Sequence, residues 1–332
     1  MSAVDRQMMS RALQLAAKGR YTSASNPSVG CVIARDHSII GEGFTRPAGG
    51  NHGEIEALQQ ASDTAGATAY VTLEPCSHQG RTGPCADALV AAGISRVVIA
   101  CEDPNPEVAG SGIQKLKDAG IEVELGLMED QARESNRGFI KRHEQGMPWV
   151  TVKMAASLDG RTAMASGQSQ WITTPAARAD VQRLRAAQCA IITGIGTQKM
   201  DDPSLTVRIT RDDVGVEDEL RQPLRVVVDA RLQMSPEARM FQQPGDTLVA
   251  TLDGPEQRDR SAALEAAGAE VAFLPAMGEH IDLHALLVEL AGRGCNQVLV
   301  EAGAGLAGAF IAEGLLDELV CYWAPKLFGN EA

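Results

Sequence analysis

The chain of 332 residues is short of positive charge: 30 lysines and arginines stand against 43 aspartates and glutamates, a net charge of −13. A surface of that sign repels a phosphate backbone, which disfavours a general nucleic-acid-binding role. A small anionic substrate is still admissible wherever a few arginines gather. Long hydrophobic runs are missing as well. No apolar stretch approaches the roughly 20 residues that a membrane helix needs, and no secretory apolar core precedes the first helical pattern. The seven cysteines are an odd number without paired spacing, which fits a reducing compartment better than a disulfide framework. The expectation is a cytoplasmic protein long enough for two domains, with neither nucleic acid nor membrane as a partner.

What the first half does contain is a dense set of metal-binding side chains. His52-Gly-Glu54 is answered by Glu74-Pro75-Cys76 and, after eight more residues, Cys85. One imidazole and two thiolates leave a tetrahedral zinc with a fourth position for water, the arrangement of a catalytic site. Zinc brings the pKa of such a water toward neutrality. Glu54 is not needed as a ligand, so it can take the proton of that water and hand it to a leaving amine. The order His-x-Glu, Pro-Cys, Cys is that of zinc deaminases acting on nucleobases. Two plainer readings compete. The cysteines can be ordinary buried thiols, or a closed structural zinc can recruit His78 as a fourth ligand.

Periodicity places these residues. Residues 3–18 read as an amphipathic helix with Met8, Met9, Ala12, Leu15 and Ala16 inward, and 31–34 and 39–44 as a hairpin with a solvated His37 at its tip. A helix starts near His52 and carries Ile55, Ala57 and Leu58 inward. Strands at 69–73, 96–101 and 121–125 alternate with helices at 86–92 and 110–119, a rhythm that predicts a sheet covered on both faces. The oriented N–H groups of helix starts favour thiolates at Cys76 and Cys85.

The helical pattern ends around 143–148, and a strand at 149–155 opens a second α/β domain. There Thr174 caps a helix over 175–187 with Pro175 at its first position. Strands follow at 190–194, 225–229, 247–251, 297–301 and 318–322, with helices at 256–267 and 282–293. Residues 196–203 read as a polar loop long enough to carry function. Gly303-Ala-Gly305-Leu-Ala-Gly308 matches a dinucleotide fingerprint after a strand and before a helix. It can equally be a helix–strand contact that needs small side chains. Arg185 and Arg208 are either phosphate partners or solvated surface arginines. Trp171 is a core aromatic or a wall for a nicotinamide, Lys153 an edge residue, and Asp159 and Asp229 loop caps.

With both halves read, the chain resembles the bifunctional pyrimidine deaminase/reductase family of riboflavin biosynthesis. The first half carries this on Asn26-Pro-Ser-Val-Gly30, His52-Gly-Glu54 and the run from Thr72 to Cys85. The second carries it on Lys153-Met-Ala-Ala-Ser-Leu-Asp-Gly-Arg161, Ser169-Gln-Trp-Ile172, the run from Asp201 to Arg208, and Glu301-Ala-Gly-Ala-Gly305. The resemblance implies a cytidine-deaminase-like αβα sandwich over 1–145 and a dihydrofolate-reductase-like α/β domain over 148–332. It implies removal of the 2-amino group of a diaminopyrimidinone ribosylamine 5′-phosphate, then reduction of the ribosyl chain to ribityl. The cofactors would be zinc and NADPH, the latter preferred over NADH, in a homo-oligomer.

By position, His52, Cys76 and Cys85 match the zinc ligands and Glu54 the catalytic acid/base. Ala155, Trp171, Thr197, Asp201, Gly303, Ala304, Gly305, Leu306, Ala307, Gly308 and Ala309 match NADPH contacts. Asn26, His78, Ser169, Arg185, Leu205, Arg208 and Glu301 match substrate contacts. Two departures stand out. Gly53 replaces the family's usual alanine, which would loosen the helix start by up to ~1 kcal/mol. The sequence also ends at Ala332 where the family runs on for a few strands, so the second sheet would lack an edge strand and some cover over its pocket. A rival reading is a zinc deaminase of another nucleobase or nucleotide whose second domain only binds nucleotide. Another is a non-catalytic nucleotide-binding protein with a structural zinc.

Overall fold

The computed structural model describes residues 1–78, 83–162 and 173–329. They fall into two compact units, Met1–Gly146 with Gly215–Glu219, and Met147–Val214 with Leu220–Ala332.

The first unit begins with α1 (Ala3–Gly19), closed at its start by reciprocal hydrogen bonds between Ser2 and Asp5. Then come β1 (Gly30–Arg35), β2 (Ser38–Phe44), α2 (Gly53–Gln60), β3 (Thr68–Val71) and α3 (Cys85–Ala91). After them follow β4 (Arg96–Ile99), α4 (Ser111–Asp118), β5 (Glu122–Leu125), α5 (Glu129–Ser135) and α6 (Arg137–Gln145). The sheet runs β2-β1-β3-β4-β5, with β1 antiparallel to both neighbours and the rest parallel. Asp36 and His37 turn the hairpin with φ of 48° and 67°, and His37 is exposed.

Side chains alternate across a strand, and two close approaches show which helix covers which face. A Cβ on Gly30 would lie 1.9 Å from the Ala12 carbonyl oxygen of α1. Its neighbour Cys31 points the other way, beside Gly43, whose Cβ would lie 2.2 Å from the Gly53 oxygen of α2. Helices α1 and α2 therefore cover opposite faces, with α5 packed on α1 and α3 on α2. Met8, Met9, Ala12 and Leu15 enter the core with Val32, Ile33, Val97 and Ile99. In α2 the fully buried residues are Gly53, Glu54 and Ala57, whereas Ile55 and Leu58 are half-buried.

The second unit contains β6 (Trp149–Ser157), α7 (Pro175–Ala186), β7 (Ala190–Gly194), α8 (Ile195–Asp201), α9 (Arg211–Val214) and β8 (Leu224–Val228). These are followed by β9 (Thr247–Leu252), α10 (Pro255–Ala266), β10 (Ala269–Leu274) and a hairpin of β11 (Ala276–Met277) and β12 (His280–Ile281). Last come α11 (Leu283–Gly292), β13 (Gln297–Val300), α12 (Ala304–Ala312) and β14 (Glu318–Ala324). Seven strands, all parallel, take the order β10-β9-β8-β7-β13-β6-β14. As the sequence predicts, Thr174 accepts from Ala177 N at the start of α7, with Pro175 in the first turn.

Several features differ from expectation. Residues 196–201, read as part of a polar loop, lie in α8, so Thr197 and Asp201 ride on a helix. Strand β10, the β11–β12 hairpin and the short α9 were not expected at all.

The order of this sheet reverses between β7 and β13. From β7 the chain moves outward through β8, β9 and β10. It then returns to insert β13 beside β7, and crosses β6 to reach β14. The carboxyl ends of adjacent strands that depart in opposite directions leave a crevice between their connections, where ligands of parallel α/β sheets bind.

Candidate active sites

In the first unit, β3 delivers the chain to Cys76, α2 starts immediately after His52, and α3 starts at Cys85. His52 Nδ1 lies 3.6 Å from Cys76 Sγ and 3.3 Å from Cys85 Sγ, and the three ligand atoms fall within 4.8 Å of one another. A tetrahedral zinc bonded at ~2.3 Å to sulfur and ~2.05 Å to nitrogen holds such donors ~3.5 Å apart, so the set fits the metal. Cys76 Sγ accepts from Cys85 N at 3.3 Å, the first N–H of α3.

The electrostatics are those of a cation site. The Cys85 thiol, then His52, draw the Cys76 thiol down to about 4. Cys85, as donor to Cys76 and buried, is driven up. A dication bound between the two sulfurs would favour the thiolate form of both. Cys76 also raises the His52 imidazole. Glu54 is 3 % exposed, and its Oε2 has no hydrogen-bond partner. Burial, and then the charge of Cys76, push its carboxyl up to about 7.

Around this centre the half-buried Asn26 opens the turn leading to β1. That turn presses on the start of α2, since a Cβ on Gly53 would come within 2.8 Å of the Val29 oxygen. The glycine that departs from the family pattern therefore sits at a close contact. His78 is exposed and acts electrostatically on Asp103, whose carboxyl burial raises to about 6. Sequence reasoning missed the two buried side chains that brace these parts. Asn136 accepts from Ser28 N at 2.8 Å and donates to Ser28 O at 3.0 Å, 108 residues away. Glu74 takes four main-chain N–H groups from 103–113. No local pattern marks Asn136, but Glu74 is an acidic residue one step from a Pro-Cys ligand pair.

In the second unit some of the expected residues meet just beyond β13. Glu301, just beyond β13, accepts from Arg185 Nε at 2.5 Å and Nη2 at 3.0 Å, with Lys153 Nζ of β6 at 3.2 Å. Burial raises its carboxyl, but the Arg185 and Lys153 charges outweigh that and hold it at about 2. Lys153, which its position alone left unassigned, is thus a member of the cluster. Arg185 Nη1 also donates to Thr206 O at 3.2 Å, between the buried Leu205 and the exposed Arg208. Leu205 holds φ at 49°. Although the residue as a whole is exposed, partial desolvation of the Arg208 guanidinium and then the charge of Arg185 lower it, against Glu301, which raises it. Two residues past Lys153 on β6 is Ala155, opposite Tyr322 of β14.

The glycine-rich segment faces the same crevice. Gly303 N donates to Thr197 Oγ1 at 3.2 Å, joining α12 to α8. Gly303, Ala304, Gly305 and Gly308 are exposed, Leu306 and Ala309 half-buried, and Ala307 is buried. A Cβ on Gly305 or Gly308 would meet nothing within 4 Å, so packing does not require these glycines. A bare surface at a helix start suits a phosphate, and the segment fits a dinucleotide. Asp201 closes α8. Ser169 and Trp171 lie outside the described residues.

Comparison with known proteins is consistent in both halves. Residues 2–101 match the family model for the cytidine and deoxycytidylate deaminase zinc-binding region, and 148–332 that for the RibD C-terminal domain. The chain is 49% identical to the riboflavin biosynthesis protein RibD of Escherichia coli (strain K12), covering 99% of this chain and 89% of the relative. For RibD of Haemophilus influenzae the values are 48%, 100% and 88%. Among solved structures it resembles Acinetobacter baumannii RibD, with TM-score 0.88 and 46% identity over 99% of this chain and 89% of that one. It also resembles a diaminohydroxyphosphoribosylaminopyrimidine deaminase/5-amino-6-(5-phosphoribosylamino)uracil reductase from Thermotoga maritima, with TM-score 0.84 and 33% identity over 98% and 88%. These matches do not favour a lone deaminase with a passive second domain. Paired with the zinc-fitting centre of one unit and the dinucleotide-fitting crevice of the other, they show that the chain belongs to the RibD family of riboflavin biosynthesis, bifunctional enzymes that join a zinc-dependent deaminase to an NADPH-dependent reductase.

Proposed function

We propose that the first unit, which we take with the expected span 1–145, deaminates 2,5-diamino-6-ribosylamino-4(3H)-pyrimidinone 5′-phosphate, and that the second, over 148–332, reduces the product's ribosyl chain to ribityl. His52 Nδ1, Cys76 and Cys85 hold the zinc. When bound, zinc is a Lewis acid that makes water nucleophilic near neutral pH. Glu54 removes a proton from the attacking water; of the two protons that water gives up as the ring carbon becomes a carbonyl, one goes to the adjacent ring nitrogen and one to the exocyclic amine, which leaves as ammonia. A carboxyl that burial keeps near neutral range is suited to both halves of that transfer. Asn26 and His78 border the pyrimidine.

In the second unit Gly303–Ala309, Thr197, Asp201 and Ala155 receive NADPH, together with Trp171. When bound, NADPH supplies the hydride. Glu301, Arg185, Arg208, Leu205 and Ser169 receive the substrate, with Arg208 offering a charge to its phosphate. Among the described residues no helix is long and apolar enough to cross a membrane. A cytoplasmic location and a homo-oligomer complete the proposal.

The observation that carries this reading is the spacing of three ligand atoms beside an unpaired buried Glu54 oxygen. The test is metal content and both half-reactions in Cys76→Ser. Zinc and ammonia release should be lost together while reduction of pre-deaminated substrate continues. Stoichiometric zinc with full deamination would refute it.

A further inference from the structure

We infer that Glu74 is a positioning residue of the metal centre, fixing the place of the Cys76 sulfur by binding the chain on which it sits to the first turn of α4. The inference rests on the reading of Cys76 as a zinc ligand, and it gives a role to a carboxylate whose oxygens accept from main-chain N–H groups.

Glu74 is 3 % exposed, yet its charge is held by main chain. Oε1 accepts from Gly112 N at 2.9 Å and Ile113 N at 3.1 Å, and Oε2 from Gly110 N at 3.0 Å and Asp103 N at 3.2 Å. The residue before helix α4 is Gly110, which has no side chain to cap it. The free N–H groups of a helix start are ordinarily satisfied by the residue just before the helix. Here a carboxylate from the end of another strand does so, and it also matches the positive end of the helix dipole. One side chain thus joins two segments about 36 residues apart.

The other contacts lie on both sides of Cys76. A Cβ on Gly112 would lie 2.0 Å from the Pro75 carbonyl oxygen, so α4 is pressed against the residue between Glu74 and the ligand. On the far side, Ser77 Oγ and Ser111 Oγ are 2.5 Å apart. Residues 74, 75 and 77 are therefore all seated on the start of α4. Cys76 is left with its sulfur turned toward His52 Nδ1 and its carbonyl bonded to Ala86 N at 3.1 Å. Ligands that must meet at a common point within tenths of an ångström need such outer support, and its loss typically costs 10- to 100-fold in metal affinity.

The experiment uses the full chain. Zinc affinity is measured by competition with a chromophoric chelator, and ligand geometry by the absorption spectrum of the cobalt(II)-substituted protein, both well below the unfolding temperature. Glu74→Gln keeps the size of the side chain but turns an NH₂ toward converging N–H donors. We expect a 10- to 100-fold weaker zinc Kd and displaced cobalt–thiolate bands, with reduction of pre-deaminated substrate at the wild-type rate. Gly112→Ala keeps the Glu74 side chain but drives α4 away from Pro75, its new Cβ also coming within 3.1 Å of Glu74 Oε1, and should shift both metal readouts in the same direction. A folded Glu74→Gln protein with wild-type zinc affinity and cobalt spectrum overturns the inference. So does an unfolded Glu74→Gln protein paired with a folded Gly112→Ala protein that binds zinc normally, because Glu74 would then serve the fold alone. Zinc that stays in Cys76→Ser sinks the metal-centre reading itself, a result distinct from either.

Discussion

Glu54 and Glu301 are the same amino acid at similar depth, 3 % and 8 % exposed, and they differ in opposite directions. Glu54 is pushed up to about 7 and Glu301 is held at about 2. Burial raises both, because a low-dielectric surrounding penalises the charged form. Partners decide the rest. Two cations grip Glu301, whereas Glu54 faces sulfur and keeps an unpaired oxygen. One carboxylate is arranged to stay charged and hold its neighbours. The other is arranged so that losing and gaining a proton costs little.

That contrast can be tested from both ends. The largest effect belongs to Glu54→Gln, which should keep zinc but lower deamination ~10²- to 10⁴-fold, measured as ammonia release from metal-quantified protein. Reduction of pre-deaminated substrate should not change. Arg185→Ala leaves the buried Glu301 with Lys153 but without its two-pronged guanidinium, and since breaking a buried pair outright typically costs about 3–5 kcal/mol, a loss up to that range is expected. Denaturant unfolding followed by tryptophan fluorescence reads it, since all three tryptophans lie in the second unit.

A milder test uses pH. The Glu301 carboxyl titrates at about 2 when folded against an ordinary 4.5, so the unfolded chain takes up the proton first. Its contribution, on the order of 3 kcal/mol, is complete above pH ~4.5 and fades as pH falls toward about 2. The stability gap between wild type and Glu301→Gln should close through that window and be flat above it. The smallest effect is expected of Gly308→Ala. With nothing within 4 Å of the new Cβ, it should stabilise α12 by up to ~1 kcal/mol while weakening NADPH binding. Destabilisation would restore the packing explanation.

The sequence made the metal ligands legible because their chemistry and order are local. His52, Cys76 and Cys85 needed only the fold to bring them together. The contacts that hold the sites in place were not legible, since they join distant stretches. Asn136 reaches Ser28 across 108 residues, and Arg185 reaches Glu301 across 116. Helix α8 was read as a loop because its flanking Gly, Asp and Pro residues favour turns, while its seven residues are too few to show a period. Strand β10 was missed because Ala269–Leu274 mixes buried and exposed positions without clear alternation; its parallel pairing with β9 supplies the order.

The late insertion of β13 between β7 and β6 governs how the second unit can be assembled during synthesis. Strands β7 to β10 can pair in the order in which they emerge. Yet β6, made first, has no permanent neighbour until Gln297–Val300 has been made, since its partners are β13 and β14. At ~5–20 residues per second, the interval from β7 to β13 is on the order of 5–20 s. Throughout it, β6 and one side of β7 present unpaired backbone groups, the kind of edge through which chains adhere to one another. The nascent second unit is thus most exposed to misassembly just before the step that also builds its crevice.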